Sequence, residues 1–298
     1  MRFGVNYIPS EKWLYSWVDF DENSIREDIR AIKNLGFDHI RAHILWSVFQ
    51  PNENYVSELC LENLARFTRI CEEEKIDFFL TLFTGWMSGM VFLPPWLNVG
   101  GFDCWKKGMF SNKEAIKAEL YLKAKETHRL PNYMIEMAKA YCNDNDRLYQ
   151  VQEFGMADQW FESDEELESF IIGTLENCAS DKDIWGVTWW CSHDIKQEYY
   201  GFVDFEHNLG IIDTENNPKA AGLIFKRFIN NYKAENYIKP KPSKALVIQP
   251  GTGEETDFTN ANRYFDCYAG GEIMAFVTEE KKNDKNYLKI RGIEEVID

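Results

Sequence analysis

Hydrophobic positions along the first 235 residues alternate between two rhythms, a short apolar run and then a longer stretch with helical spacing. Arg2 to Tyr7 reads as a first strand, after which Ile25, Ile29, Ile32 and Leu35 share one helical face and Gly36 supplies the stop. From Asp38 to Ile44 the period is two, so that Ile40, Ala42 and Ile44 point one way and His39, Arg41 and His43 the other. A helix near 58 to 74 leads into Ile76 to Phe83, a nearly continuous apolar run of the kind used by strands covered on both faces. Strands are also predicted over Arg147 to Glu153 and Ile184 to Cys191. Between those two, Ser163 and Glu166 form a capping box opening a helix that carries Leu167, Phe170, Ile171, Leu175 and Cys178. A last helix opens near Pro218 and uses Ala221, Phe225, Phe228 and Tyr232.

Such alternation predicts an α/β fold of the (β/α)8 TIM-barrel type, with a parallel sheet inside and helices outside. Five strands can be placed where a closed barrel needs eight, and between Asn112 and Cys142 there is only helical pattern, broken at Pro131. The expectation is an incomplete barrel of about five βα units. Its open edges would carry unpaired backbone groups, to be covered by a second copy of the chain in a homo-oligomer or by the C-terminal segment. After Tyr237 the composition shifts, with Pro240 and Pro242 in a lysine-rich stretch. The expected division is a barrel domain over 1–238 and a small C-terminal α/β appendage over 239–298. The appendage offers strands at Ala245 to Ile248 and Met274 to Thr278, with a polar, turn-rich segment at Gly251 to Thr259.

Phe78 to Phe102 contains no charged residue and is long enough to span a bilayer. Gly85, Gly89, Pro94, Pro95, Gly100 and Gly101 would interrupt any such helix, so a strand running into an aromatic-rich loop is expected instead. Across 298 residues, 45% hydrophobic and 15% aromatic, there is ample apolar material for a large core, which excludes general disorder. The net charge of −16 argues against nucleic acid or an anionic membrane as partner. The start of the chain lacks the features of a secretory signal, and the seven scattered cysteines form no Cys-x-x-Cys pair, so a cytoplasmic location with free thiols is expected. Cys191, beside His193, reads first as a packed thiol. No metal-ligand spacing or phosphate-binding glycine motif is present, and no cofactor is expected.

In parallel barrels the reactive groups gather at the carboxyl ends of the strands. Those ends read Asn6-Tyr7, Arg41-Ala42-His43 with Trp46, Thr84-Gly85-Trp86, Gln152-Glu153-Phe154-Gly155 and Trp189-Trp190-Cys191-Ser192-His193-Asp194. One acidic residue on an inward phase, one arginine, two histidines and several tryptophans make the inventory of a sugar-binding cleft, since aromatic faces stack on pyranose rings and polar neighbours take the hydroxyls. Glu153 is expected on the strand face of Tyr149 and Val151, pointing into the barrel mouth, with Arg41 holding it ionised through a charge-assisted hydrogen bond. An oriented, ionised carboxylate is what a glycosidic nucleophile requires. Trp86, Trp96 and Trp105 read equally as core packing, and His43 as a hydrogen-bonded interior residue.

With these residues in view, the stretch from Phe3 to about Tyr232 resembles the retaining (β/α)8 glycoside hydrolases of the cellulase-like family five and its clan. The resemblance rests on Ile40-Arg41-Ala42-His43 with Trp46 and Pro51, Leu80-Thr81-Leu82-Phe83-Thr84-Gly85-Trp86, Gln152-Glu153-Phe154-Gly155 and Val187-Thr188-Trp189-Trp190. It implies Glu153 as nucleophile, Arg41 as its brace, and Trp190 or Trp189 as the floor of the sugar subsite. His43, Trp46, Trp86 and His193 complete the substrate-binding set, and the implied substrates are β-linked glucans or related oligosaccharides and glycosides. Members of that family also carry an Asn-Glu pair at the end of strand four whose glutamate is the general acid/base. No Asn-Glu occurs between Gly85 and Glu153, and the segment of strands four to six is missing. Losing the general acid costs roughly a hundred- to ten-thousand-fold in rate. Glu119, Glu126, Asp158 and Glu162 are the acids weighed as substitutes, and all four also read as ordinary solvated side chains. The other reading is a non-catalytic carbohydrate-binding remnant, or an internally deleted one.

Overall fold

A computed structural model describes residues 1–52, 54–88, 90–94, 130–142, 147–199, 204–234, 242–248, 260, 262–267 and 272–297. In chain order the elements are β1 (Arg2–Asn6), α1 (Glu22–Asn34), β2 (His39–Leu45), α2 (Trp46–Phe49), α3 (Glu58–Glu73) and β3 (Asp77–Thr84). A short hairpin of β4 (Trp86–Met87) and β5 (Met90–Val91) follows, and then α4 (Leu130–Tyr141), β6 (Tyr149–Phe154), α5 (Asp164–Ala179) and β7 (Ile184–Trp189). The chain continues through α6 (Ala220–Ala234), β8 (Lys244–Ile248), β9 (Met274–Thr278), α7 (Lys285–Arg291) and β10 (Glu295–Ile297). Trp96, Trp105, Glu119, Glu126, the segment Gly251 to Thr259 and most of the proline-bracketed linker lie outside the described residues. Two compact units result: Met1–Lys107 with Gln150–Ile172 and Gly186–Glu235, and Gly108–Tyr149 with Gly173–Trp185 and Asn236–Asp298.

The first unit is an incomplete (β/α) barrel, a curled parallel sheet of five strands in the order β3-β2-β1-β7-β6. Period-two alternation sorts its residues as the sequence predicts. Phe3 and Val5 of β1 turn outward and are fully buried, Phe3 against Phe228 and Tyr232 of α6 with ring centroids 6.0 and 5.2 Å apart. Burying a phenylalanine of this kind is worth about 1.5–3 kcal/mol. Gly4 and Asn6 turn inward, and a Cβ at Gly4 would stand 2.0 Å from the His39 ring, so only glycine fits beside that imidazole. Asp21 caps α1 by accepting from the Asn23 and Ser24 amides, and Gly36 takes a φ of +95° after its last turn. Ser57 caps α3, whose Phe67 packs on Phe78 at 5.6 Å. At the β3 end of the sheet order Leu82 is 65% exposed, as expected of an edge strand. Among the described residues no helix is long and apolar enough to cross a membrane.

The second unit holds a three-stranded parallel sheet, β10-β8-β9, with α4 against it. Tyr133 of α4 packs among Tyr264, Phe265 and Phe276 at 5.5–5.7 Å. Inside this layer Glu136 pairs with Arg291 at 2.6 Å and Lys139 at 3.0 Å, and Lys139 also reaches Asp181 at 2.6 Å. Burial opposes the Lys139 charge, yet the Glu136 and Asp181 carboxylates outweigh it and hold the pKa above the ordinary lysine value. Removing Glu136 would leave the Arg291 guanidinium without its carboxylate in a dry setting, while Lys139 keeps Asp181. Glu136→Ala should therefore cost about 3–5 kcal/mol, read as a fall in denaturation midpoint, and a change under about 0.5 kcal/mol would contradict this assignment.

Candidate active site

At the carboxyl ends of the barrel strands lies a cavity of about 630 Å³, within the range of small-molecule sites. Asn6, fully buried, organises its floor. Its amide donates to the carbonyls of Gln152 and Trp189 at 3.1 and 3.2 Å, and its Oδ1 accepts from Arg41 at 3.0 Å and stands 3.3 Å from His43 Nε2. One side chain of β1 thus ties together the ends of β2, β6 and β7. Arg41 also donates from Nε to the Thr81 hydroxyl at 2.9 Å, which fixes the guanidinium between β2 and β3.

Glu153 and Arg41 both line this cavity, 3.7 Å apart from Oε2 to Nη1. That separation makes an ion pair and corrects the expected hydrogen bond, because the guanidinium is already engaged by Asn6 and Thr81. Partial desolvation raises the Glu153 pKa above the usual carboxylate value although the side chain is 56% exposed, Arg41 works against that rise, and the nearby Glu206 charge adds to it. The strand face differs from the expectation as well. Gln150 lies within 3.3–3.5 Å of the inward-facing Thr188 and His39, while Val151 is buried. Phe154 packs outward on Trp189 at 5.2 Å. The inward phase therefore inverts between Gln150 and Glu153, and only this irregularity delivers Glu153 to the cavity.

His43 lines the cavity with its Nδ1 3.3 Å from the Thr84 hydroxyl and its ring edge-on to Trp190 at 5.7 Å. Burial and the Arg41 charge push its pKa down to about 3, so at neutral pH it is an uncharged hydrogen-bonding wall. Trp190 lines the cavity, and its amide donates to the Phe154 carbonyl at 2.9 Å. A Cβ at Gly155 would meet the Trp190 carbonyl at 2.5 Å, so glycine lets the loop after β6 pass this close.

Other candidates fall elsewhere. Trp189 is fully buried on the outward face of β7, against Phe225 at 5.3 Å, because alternation allows only one of two adjacent tryptophans to face the cleft. His193 is also fully buried, in a polar network with Ser192, the Ile8 carbonyl and Asn216 that places it 3.7 Å from Asp28. Trp46 opens α2 with its Nε1 donating to Gln50 at 3.0 Å, and it is not among the cavity-lining residues. The side chain of Trp86 lies outside the described part of the structure. Burial drives the Cys191 thiol well above its ordinary pKa, as an inert packed thiol requires. Asp158 pairs with Lys219 at 3.4 Å, and Glu162 is exposed at the start of α5, away from the cavity lining.

Three further wall residues carry no motif in the sequence. Trp160 and Phe205 pair at 4.9 Å to form an aromatic side of the cavity, and Glu206 follows in the 3-10 turn Asp204–Asn208. Burial raises the Glu206 pKa, opposed by the Ser88 hydroxyl and by His207. These residues sit in irregular loops where no apolar rhythm carries information, and a carboxylate following an aromatic is the only signal there. Among the described residues, no group of three or more His, Cys, Asp or Glu stands ready to hold a metal.

No family model and no curated protein matches the chain. Solved structures do. A GH5_18 alanine variant from Streptomyces cattleya, in complex with Manβ1-4GlcNAc, is similar with a TM-score of 0.85 at 22% identity, over 99% of this chain and 98% of that one. A GH5_18 protein from Bifidobacterium longum subsp. infantis gives 0.85 at 24% identity, over 100% and 96%. An exo-β-1,4-mannosidase, Op5Man5 from Opitutaceae bacterium strain TAV5, gives 0.67 at 18% identity, over 93% and 69%. At these identities the likeness establishes the fold.

Proposed function

We propose that the protein is a retaining glycoside hydrolase acting on β-linked glycosides, with Glu153 as the nucleophile. The observation that carries this reading is the Glu153 carboxylate at the end of β6, 3.7 Å from a fixed guanidinium and lining an aromatic-walled cavity. In the first step a Glu153 oxygen attacks the anomeric carbon as the glycosidic bond breaks, giving a glycosyl-enzyme that water then opens. Arg41 favours the ionised form of Glu153 and opposes the desolvation that raises its pKa. Trp190 and the Trp160–Phe205 pair offer ring faces to the sugar, and His43 offers a neutral hydrogen bond to a hydroxyl.

The sugar is a finer matter. The set of residues in the cleft suits β-glucans and related glycosides alike, but the similar solved structures include complexes with Manβ1-4GlcNAc and an exo-β-1,4-mannosidase. We therefore place β-mannosides first among the substrates, ahead of β-glucosides. Aryl β-mannosides and aryl β-glucosides tested in parallel should show hydrolysis, fastest on the mannoside, with the β anomer released first in NMR. Saturable sugar binding without any turnover would instead support the non-catalytic reading.

A further inference from the structure

We propose that Glu206 is the general acid/base of this cleft, in place of the carboxyl of an Asn-Glu pair, which does not occur between Gly85 and Glu153. The inference rests on the hydrolase reading above and adds to it a residue and a role.

Among the described residues lining the cavity, two are carboxylates, Glu153 and Glu206. Glu206 belongs to a loop that is pinned on both sides. The His207 ring Nδ1 stands 3.0 Å from the Ile195 carbonyl, the Ile195 amide donates to the His207 carbonyl at 3.0 Å, and Lys219 donates to the Asn208 carbonyl at 2.9 Å. Phe205, on its other flank, packs against Trp160. The carboxyl is thus presented by a fixed turn, as a proton donor to a departing oxygen needs to be.

The two carboxyls differ in their neighbours. Glu153 has Arg41, whereas among the described residues no lysine or arginine pairs with Glu206. Around Glu206 stand the Ser88 hydroxyl, the His207 ring, the buried Cys191 thiol and Glu153 itself. Both carboxyl pKa values are raised, and when the pair holds a single proton the guanidinium favours the ionised form of Glu153, leaving the proton on Glu206. Other acids nearby are committed elsewhere: Asp194 accepts from Lys219 and from the Gly210 amide at 2.9 Å each, and Asp158 pairs with the same lysine.

The chemistry balances with these groups alone. Glu153 bonds to the anomeric carbon, the glycosidic C–O electron pair passes to the leaving oxygen, and that oxygen takes the Glu206 proton. Glu206, now a carboxylate, removes a proton from water as the water oxygen attacks the anomeric carbon and expels Glu153. One water is consumed, and both carboxyls return to their starting states.

Glu206→Ala and the isosteric Glu206→Gln test the role, with 2,4-dinitrophenyl and phenyl β-mannosides and β-glucosides as probes. Both variants should lose on the order of a hundred- to ten-thousand-fold in kcat/KM on the phenyl glycoside and far less on the dinitrophenyl one, whose leaving group needs no proton. Azide should accelerate Glu206→Ala and yield the β-glycosyl azide, and the alkaline limb of the kcat/KM profile should disappear in Glu206→Gln. Equal losses on both leaving groups without azide rescue, or wild-type kinetics, would overturn the role of Glu206 and leave Glu153 standing. A wild-type protein that hydrolyses neither dinitrophenyl glycoside removes the hydrolase reading and this inference together.

Discussion

Glu153→Gln should lower kcat on aryl glycosides by at least about ten-thousand-fold, the scale of losing a covalent nucleophile, while sugar still binds. Stability should move the other way. The Glu153 pKa is raised in the folded protein, so folding favours its protonated form, and stability declines as pH rises from the ordinary carboxylate pKa through the raised one. A neutral amide avoids that decline. At neutral pH the variant is expected to melt at or slightly above the wild-type temperature, and the side chain is 56% exposed, so little packing is lost. Steady-state kinetics beside a melting curve checks both halves. Lost activity accompanied by a large fall in melting temperature would mean that the residue is structural.

Arg41→Met carries the second large effect. Without the guanidinium nothing offsets the partial desolvation of Glu153, so its pKa rises further and the acid limb of the kcat/KM profile should move to higher pH. A preorganised charge of this kind is worth roughly a hundred- to a thousand-fold in kcat. The substitution also removes the donors to Asn6 Oδ1 and Thr81 Oγ1, a cost of about 1–3 kcal/mol to the floor that holds β1, β2 and β3 together. Arg41→Lys retains the charge without the fork and should recover the position of the acid limb more fully than it recovers stability. An unmoved acid limb in Arg41→Met would show that this residue does not govern the ionisation of Glu153.

What could be read from the residues, and what could not, follows from the range of the forces involved. The βα rhythm and the inner set His39, Arg41, His43 were legible because period two and period 3.6 are local, and the strands and helices so predicted agree with the structure to within a few residues. Glu153 was legible as a residue type at a strand end, but the route that brings it inward was not. An inversion of phase between Gln150 and Glu153 depends on Phe154 finding Trp189 and Phe225 across the sheet. The same contact decides that Trp190, not Trp189, meets the cleft. The chemistry of His193 suggests a sugar contact, whereas its hydrogen bonds go to a buried network that reaches Asp28, far away in sequence. Trp160, Phe205 and Glu206 belong to loops whose positions are set by long-range anchors such as Ile195 and Lys219, and no spacing encodes those. Short elements such as α7, seven residues between Asp284 and Gly292, fall below what periodicity can register.

The most direct test of the account is covalent trapping with 2-deoxy-2-fluoro-β-mannosyl fluoride, followed by peptide mass mapping of the intact chain. One fluorosugar per molecule is expected on the peptide carrying Glu153, with none on Glu153→Gln. A label on any other residue, or turnover of the wild type with no trapped intermediate, would contradict it.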